Sequence, residues 1–414
     1  MSPRSSRLRG KVASAIVLRG VALVGRAVVG ILFARLLGAS EVGVLFLAIS
    51  VANLMALFAR RGLDRMALSE ISQRPGDAQT VVGQLTKRVG VSSIAATVLA
   101  LVVLGTVSSL SDIRGGVFLW ALLAIIPINI SQVAAHALRA EERVSASLLT
   151  GALLAPPLRF AIFFVVGAQT ADHASLAFLL GWTIVAALAI ALSRPNFQTA
   201  DGNIAEPASS RALHLDAVNT QLVDTLSIVA MSVVGVPADV GAFSVATRLE
   251  RAALLPTIGT RFATAPRLAS SDSEDRDRAM ATAVRTARKA FAIQAPVAVL
   301  AFVLAPWFLE LLGEGFERGT TWFRILLVAS LVNAVTGSTT QILLVGKFRD
   351  ELASSSRIAL LAFAVATAAL TPIFGPIGIV IAVSFAKVMR ETVEWKVVKD
   401  KMGRRADVLS PVRS

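Results

Sequence analysis

The chain has 414 residues, of which 55% are hydrophobic, with a mean hydropathy of +0.70 and a formal net charge of +14. A water-soluble domain of this length would need far more polar surface, so the composition excludes an ordinary soluble fold and points to a membrane protein. The absence of cysteine excludes disulfides and thiolate metal sites, three scattered histidines argue against a metal centre, and the basic excess reads as loop charge rather than as a nucleic-acid surface.

A spanning helix needs about 20 predominantly apolar residues. Twelve such runs follow one another at 12–37, 42–60, 89–108, 117–137, 145–168, 174–193, 213–235, 241–262, 290–312, 320–345, 357–374 and 376–395. Helices are expected because a span must satisfy its own backbone hydrogen bonds, and the short alternating strands of a membrane barrel are absent. The start, MSPRSSRLRGK, has the charge of a signal-peptide n-region, but the apolar run behind it is too long and too charged for an h-region. It reads as a retained first helix.

Connections from odd to even spans, such as GASE at 38–41 and SDIRGG at 111–116, are short and carry little positive charge. Those from even to odd spans are long and basic, notably the segments from Arg60, Arg139 and Arg261. The N-terminal arm and the C-terminal KVVKDKMGRRADVLSPVRS are basic too. The positive-inside rule then places both termini in the cytoplasm of a multi-pass protein in the inner or plasma membrane.

Two stretches repeat. RLLGASEVGVLFLAISVA (35–52) is similar to SVVGVPADVGAFSVATRL (232–249), and LRAEERVSAS (138–147) to VGKFRDELASSS (345–356). The offsets are near half the chain, so the expected organisation is a duplication. It comprises an N-terminal six-helix half (1–193), a polar cytoplasmic linker (194–212), a C-terminal six-helix half (213–398) and a basic tail (399–414). Six helices per half preserve orientation, which puts the pseudo-twofold axis along the membrane normal and a central cavity between the halves.

Charges inside the spans are the candidate site. Arg19 and Arg26 are seven residues apart, hence within about 20° on a helix and roughly 10 Å along it, one polar stripe. Span five adds Arg159 after Pro156 and Pro157, and span eight adds Arg248 and Arg251 on one face, with Glu250 on another. Arg35, Arg318 and Arg324 sit near span ends, where they can reach the interface. At positions matching Arg19 and Arg26, span seven carries Asp216 and, within a residue, Asp224. These carboxylates either pair with arginines across the two halves or couple transport to an ion. No lysine occurs within the spans before Lys387. Guanidinium stays protonated in a desolvated site and presents a fork that matches phosphate oxygens, whereas lysine can lose its proton there. The expected ligand is therefore an oxyanion. Asn129, Gln132 and His136 recur at helical spacing, suited either to a sugar or to interhelical hydrogen bonds.

Several passages resemble the polysaccharide-flippase branch of the multidrug/oligosaccharidyl-lipid/polysaccharide exporter superfamily. They are FARLLGASEVGVLFLAISVANLMALFARRGLDR (33–65), LLGEGFERGTTWFRILLVAS (311–330) and GPIGIVIAVSFA (375–386). The resemblance implies an all-α integral membrane transporter that flips a polyprenyl-diphosphate-linked oligosaccharide to the outer leaflet for cell-surface polysaccharide synthesis. It also implies membrane lipids and a polysaccharide polymerase or export machinery as partners. Lipid II flippases of the same superfamily carry cavity arginines on helices one and eight, which Arg19, Arg26, Arg248 and Arg251 match. Their helix-two arginine has no deep counterpart, since Asn53 is the strongest polar group there, and many members of the polysaccharide branch have more spans than the twelve read here.

No Walker A sequence is present, so ATP is not the direct energy source and no cofactor is expected. A drug or cation antiporter is the nearest alternative, but a cation calls for an acidic cavity. A membrane glycosyltransferase or ligase acting on the same lipid carrier would need a large outer loop with acidic or histidine residues, and the outer loops are short.

Overall fold

The computed structural model describes residues 3–73, 75–108, 114–167, 170–197, 208–255, 257, 276–336, 339–345, 348–403 and 407–408. For some of these, among them residues 3–20, Leu23 and Arg26, it describes the helical backbone alone. The described residues are all-helical. Eight helices are long and apolar enough to cross a membrane, and the pair Val144–Gly151 and Ala155–Val166 makes a ninth if that bent pair is one span. The chain divides into two compact units, Met1–Leu37 with Glu41–His214, and Leu215–Ser414 with Gly38–Ser40.

In the first unit, α1 (Pro3–Arg60) holds the first two expected spans, separated at Gly38, where φ 77° and ψ 169° break the helix. A side chain would be strained at that φ, so glycine is what permits the sharp redirection. The long loop expected after Arg60 is instead α2 (Leu63–Gln73), a short turn and the start of α3 (Ala78–Ser108). Its basic residues Lys87 and Arg88 are thus helical rather than in a loop. The fourth span is α4 (Gly115–Leu123) and α5 (Ile125–Ala140), nearly continuous through Ala124.

The fifth span is not a single rod. It comprises α6 (Val144–Leu148), a π-helical turn at Leu149–Leu153, and α7 (Ala155–Val166). Pro156 and Pro157 have no N–H for the carbonyls four residues earlier, so the ladder cannot close there. The chain widens instead, with Leu154 N donating to Leu149 O at 3.1 Å. The loosened carbonyls are used by α5: Ser131 Oγ donates to Thr150 O at 2.9 Å and Gln132 Nε2 to Gly151 O at 3.0 Å. The half ends with α8 (Ala171–Ser193).

The second unit contains α9 (Ala208–Val234) from Leu215 onward, α10 (Pro237–Ala253), α11 (Arg276–Glu310), α12 (Gly319–Thr336), α13 (Thr339–Val345), α14 (Arg349–Phe374) and α15 (Pro376–Met402). Two boundaries differ markedly from expectation. The basic segment before the ninth span is helical from Arg276, and the twelfth helix continues to Met402 rather than stopping near 395, because no glycine or proline interrupts it before Gly403.

Each unit has its own core. Leu45, Ile71, Leu85, Leu122, Ile125 and Leu138 are fully buried in the first, and Met231, Phe243, Leu309, Phe316, Leu326 and Leu327 in the second. Large apolar side chains also lie exposed on the outside, among them Leu99, Val102, Phe164 and Val165, and Leu300, Val303, Leu361 and Val365. In water such surface would drive aggregation, whereas hydrocarbon is its natural solvent.

The internal duplication is visible in matching ties. Glu41 pairs with Arg114 and accepts Ala171 N–H at 2.8 Å, capping the first turn of α8. Asp239, at the equivalent place in the repeat, pairs with Arg318 at 3.3 Å and accepts Val236 N–H at 3.0 Å. Arg318 is therefore tied to Asp239, with more than half of its side-chain surface still exposed. Each half also ends by folding back on itself. Asn196 N donates to Gln79 O at 2.9 Å, at the start of α3, where a Cβ on Gly83 would meet Asn196 O at 1.9 Å. At the C-terminus, Val408 O accepts Arg288 Nε at 2.9 Å, in the corresponding α11, and Val408 N donates to Val335 O at 3.1 Å. Asp407, reached by Trp395 Nε1 at 2.9 Å, is buried. This part of the expected tail is built into the second half.

Candidate functional site

The side chains of Arg19 and Arg26, the expected stripe on the first helix, lie outside the described residues. Their backbone is helical, which keeps the two positions on one face of α1. The other candidates have defined surroundings.

Arg159 lies after the π-turn in α7, its guanidinium stacked over the Phe178 ring of α8 at 5.0 Å and its Nε bonded to Ala155 O at 3.1 Å. A cation over an aromatic face is stabilised by the ring quadrupole, so this arginine also ties α7 to α8. On α10, Arg248 Nη1 donates to Ser244 O, one turn back, at 2.8 Å. Arg251 donates to Asp224 Oδ2 of α9 at 2.6 Å, with more than half of its side-chain surface still exposed. Among the described side chains, Asp224 thus pairs with the arginine next door in its own half. The cause is local: α9 and α10 run as consecutive helices, and Arg251 needs no long reach.

Asp216 has the same outcome with a partner that the sequence reading did not consider. It accepts Arg390 Nη2 at 2.9 Å, and the same guanidinium reaches Thr220 Oγ1 at 2.6 Å and Glu394 Oε1 at 2.8 Å. Glu394 is fully buried and also receives Thr340 Oγ1 at 2.5 Å and Ser355 Oγ at 3.3 Å. Glu391, also buried, accepts hydrogen bonds from Asn333 and, at 3.1 Å, from Thr336 Oγ1. Lys387 Nζ donates to Glu250 at 2.9 Å, which gives that buried carboxylate, expected to point away from the arginines, a cation from α15. Lys387, Arg390, Glu391 and Glu394 recur at intervals of three and four, so they form one face of α15. That spacing was the available signal, and it was missed because only the apolar residues defined the last span.

Of the remaining polar candidates, Asn129 and Gln132 make bonds between elements. Asn129 Nδ2 donates to Ser93 Oγ at 2.8 Å with both residues wholly buried, and His136 Nδ1 donates to Gln132 O at 2.9 Å. With the Gln132–Gly151 bond, the Asn129–Ser93 contact ties α5 to α3 and to the π-turn, while the His136 bond is a one-turn return within α5. Arg324, expected near the interface, folds over Phe302 with its guanidinium 5.0 Å from the ring. Among the described residues no group of acidic, histidine or cysteine side chains could hold a metal ion.

No protein-family model and no curated protein matches the chain. Solved structures do. An inward-facing multidrug resistance MATE family transporter of the MOP superfamily matches with a TM-score of 0.73 at 16% identity, over 92% of this chain and 94% of that one. The lipid II flippase MurJ in an inward closed conformation matches with a TM-score of 0.73 at 14% identity, over 92% of this chain and 87% of that one. A MOP superfamily transporter from Pyrococcus furiosus, described as having a binding pocket of reverse polarity, matches at 0.67 with 14% identity, covering 95% of both chains. At such identities the shared property is the fold, that of multi-pass membrane transporters.

Proposed function

We propose that this chain flips a polyprenyl-diphosphate-linked oligosaccharide from the cytoplasmic to the outer leaflet by alternating access, as the polysaccharide-flippase branch does. The diphosphate is held by Arg26 and Arg248, with Arg19 and Arg251 beside them, while the lipid tail stays in the bilayer. Product removal, membrane potential or a coupled ion supplies the direction. Both termini lie in the cytoplasm of the inner or plasma membrane.

The observation that carries this reading is the choice of cation. The basic residues deep in the apolar runs are arginines, whereas Lys87 and Lys289 stand just ahead of the runs at 89–108 and 290–312 and Lys387 is occupied by buried Glu250. Arginine suits a polyanion that must cross a region of low dielectric, because it neither deprotonates nor gives up its forked geometry. The carboxylates at Asp216 and Asp224 are already matched by Arg390 and Arg251, which leaves little unbalanced negative charge to attract a cationic drug.

A second reading, drug or cation antiport, draws on the multidrug transporter fold. Proteoliposomes containing a fluorescent polyprenyl-diphosphate sugar, with a lipophilic cation tested in parallel, separate the two. The lipid diphosphate should become accessible to a membrane-impermeant quencher far faster than in protein-free vesicles, with no movement of the cation against an ion gradient. Transport of the cation alone would replace this reading with the second.

A further inference from the structure

Four side chains of the first half gather where α1 ends, and the mechanism above uses none of them. The chain turns through Arg61 and Gly62, both at positive φ, into α2. The apolar face of α2, with Ala67 and Ile71, packs on Val82, Leu85 and Val89 of α3 and on Val133 and Ala137 of α5. That packing fixes Asp64 and Arg65 beside His136 and the end of α1.

The polar contacts of this cluster are incomplete. Arg60 Nη1 stands 3.7 Å from Asp64 Oδ2, beyond hydrogen-bond length, and Asp64 Oδ1 accepts the backbone N–H of Arg65 at 3.0 Å. Arg60 Nε and Arg65 Nη1 are buried without an acceptor among the described residues. His136 donates Nδ1–H to Gln132 O, which leaves Nε2 of the neutral ring as an acceptor. Burial raises the Asp64 carboxyl, but the charges of Arg60, His136 and Arg65 outweigh it and hold the group below its ordinary value, so it stays ionised. One carboxylate then faces two guanidinium groups, with Arg139 adding to the positive field around His136. Buried donors without acceptors are costly and rare, and a surplus of forked cationic donors calls for an oxyanion.

We propose that Arg60 and Arg65 form a receiving subsite for one phosphate of a lipid-linked diphosphate, at the end of the first half that the charge distribution assigns to the cytoplasm. The inference rests on the function proposed above and places first contact before the deeper arginines. The phosphate supplies acceptors for Arg60 Nε and Arg65 Nη1, and its second charge offsets the guanidinium that Asp64 leaves unbalanced.

The test is calorimetric titration of the purified full chain with farnesyl diphosphate and, separately, with inorganic pyrophosphate. Hydrogen exchange of residues 63–73 is followed in the wild type. Arg60→Gln and Arg65→Gln should each weaken farnesyl diphosphate binding by about tenfold, and the wild-type ligand should slow exchange in α2. Unchanged binding in both variants, or unprotected α2 in a wild type that binds, overturns the subsite and leaves the proposed function standing. Should the variants fail to fold, the wild-type exchange result decides alone. Weakening for pyrophosphate only would make this a free-anion site and overturn the cargo assignment. No binding of either probe by the wild type sinks the subsite and the function together.

Discussion

Replacing Arg26 or Arg248 with alanine should lower the flipping rate for a polyprenyl-diphosphate sugar by about a hundredfold, because truncating a desolvated, hydrogen-bonded charge costs about 2–5 kcal/mol. Lysine at either position keeps the charge but loses the fork, so it should recover only part of the activity, with a deficit of about tenfold. Thermal stability of each variant, measured on the same preparations, separates lost contact from lost fold. Arg251 should behave differently. It is bound to Asp224, so Arg251→Ala leaves a carboxylate unbalanced, whereas Asp224→Asn releases a guanidinium and should tighten diphosphate binding. Alanine variants of Arg26 and Arg248 that flip lipid at the wild-type rate would remove both from the site.

The largest effect on stability should come from Glu394. Its carboxylate is fully buried and receives Arg390 at 2.8 Å, Thr340 at 2.5 Å and Ser355 at 3.3 Å. Glu394→Ala strips an acceptor from all three, so equilibrium unfolding in mixed micelles should show a loss of about 3–5 kcal/mol. Glu394→Gln keeps the shape and some of the hydrogen bonds, and its loss should be smaller, about 1–3 kcal/mol. Because Asp216 also binds Arg390, a double change of Glu394→Leu with Arg390→Met should cost less than the sum of the two single changes. Strict additivity would show that these side chains do not act as one network. The same face of α15 carries Lys387, so this polar seam links α15 to α9, α10, α12, α13 and α14 inside the second half.

Much of this architecture was legible because hydrocarbon imposes a simple length rule. The Gly38 break between the first two spans and the Gly375–Pro376 junction before the last one fall where the apolar runs stop. The duplication was readable too, since Glu41 and Asp239 stand in matching sequence and each pairs with an arginine of its own unit. What the sequence hid was helix formed by polar residues. The segments 63–73 and 276–289 lack the apolar run that marks a span, yet α2 and the start of α11 are helical, α2 through its own apolar face. Pairing was equally hard to read. Lys387 and Glu250 are far apart in the chain, as are Arg390 and Asp216, and only packing reveals such partners. Local bends were better posted: Pro156 and Pro157 announce a loosened helix, though not that Ser131 and Gln132 would take up the nearby carbonyls.

In the proposed mechanism, guanidinium groups inside the spans receive a phosphorylated lipid. The most direct test is a structure of the full chain in a lipid nanodisc with a polyprenyl-diphosphate sugar bound. The account predicts phosphate density within hydrogen-bond reach of Arg26 and Arg248. Density that contacts neither residue, with those side chains turned to acyl chains or closed onto carboxylates, would contradict it.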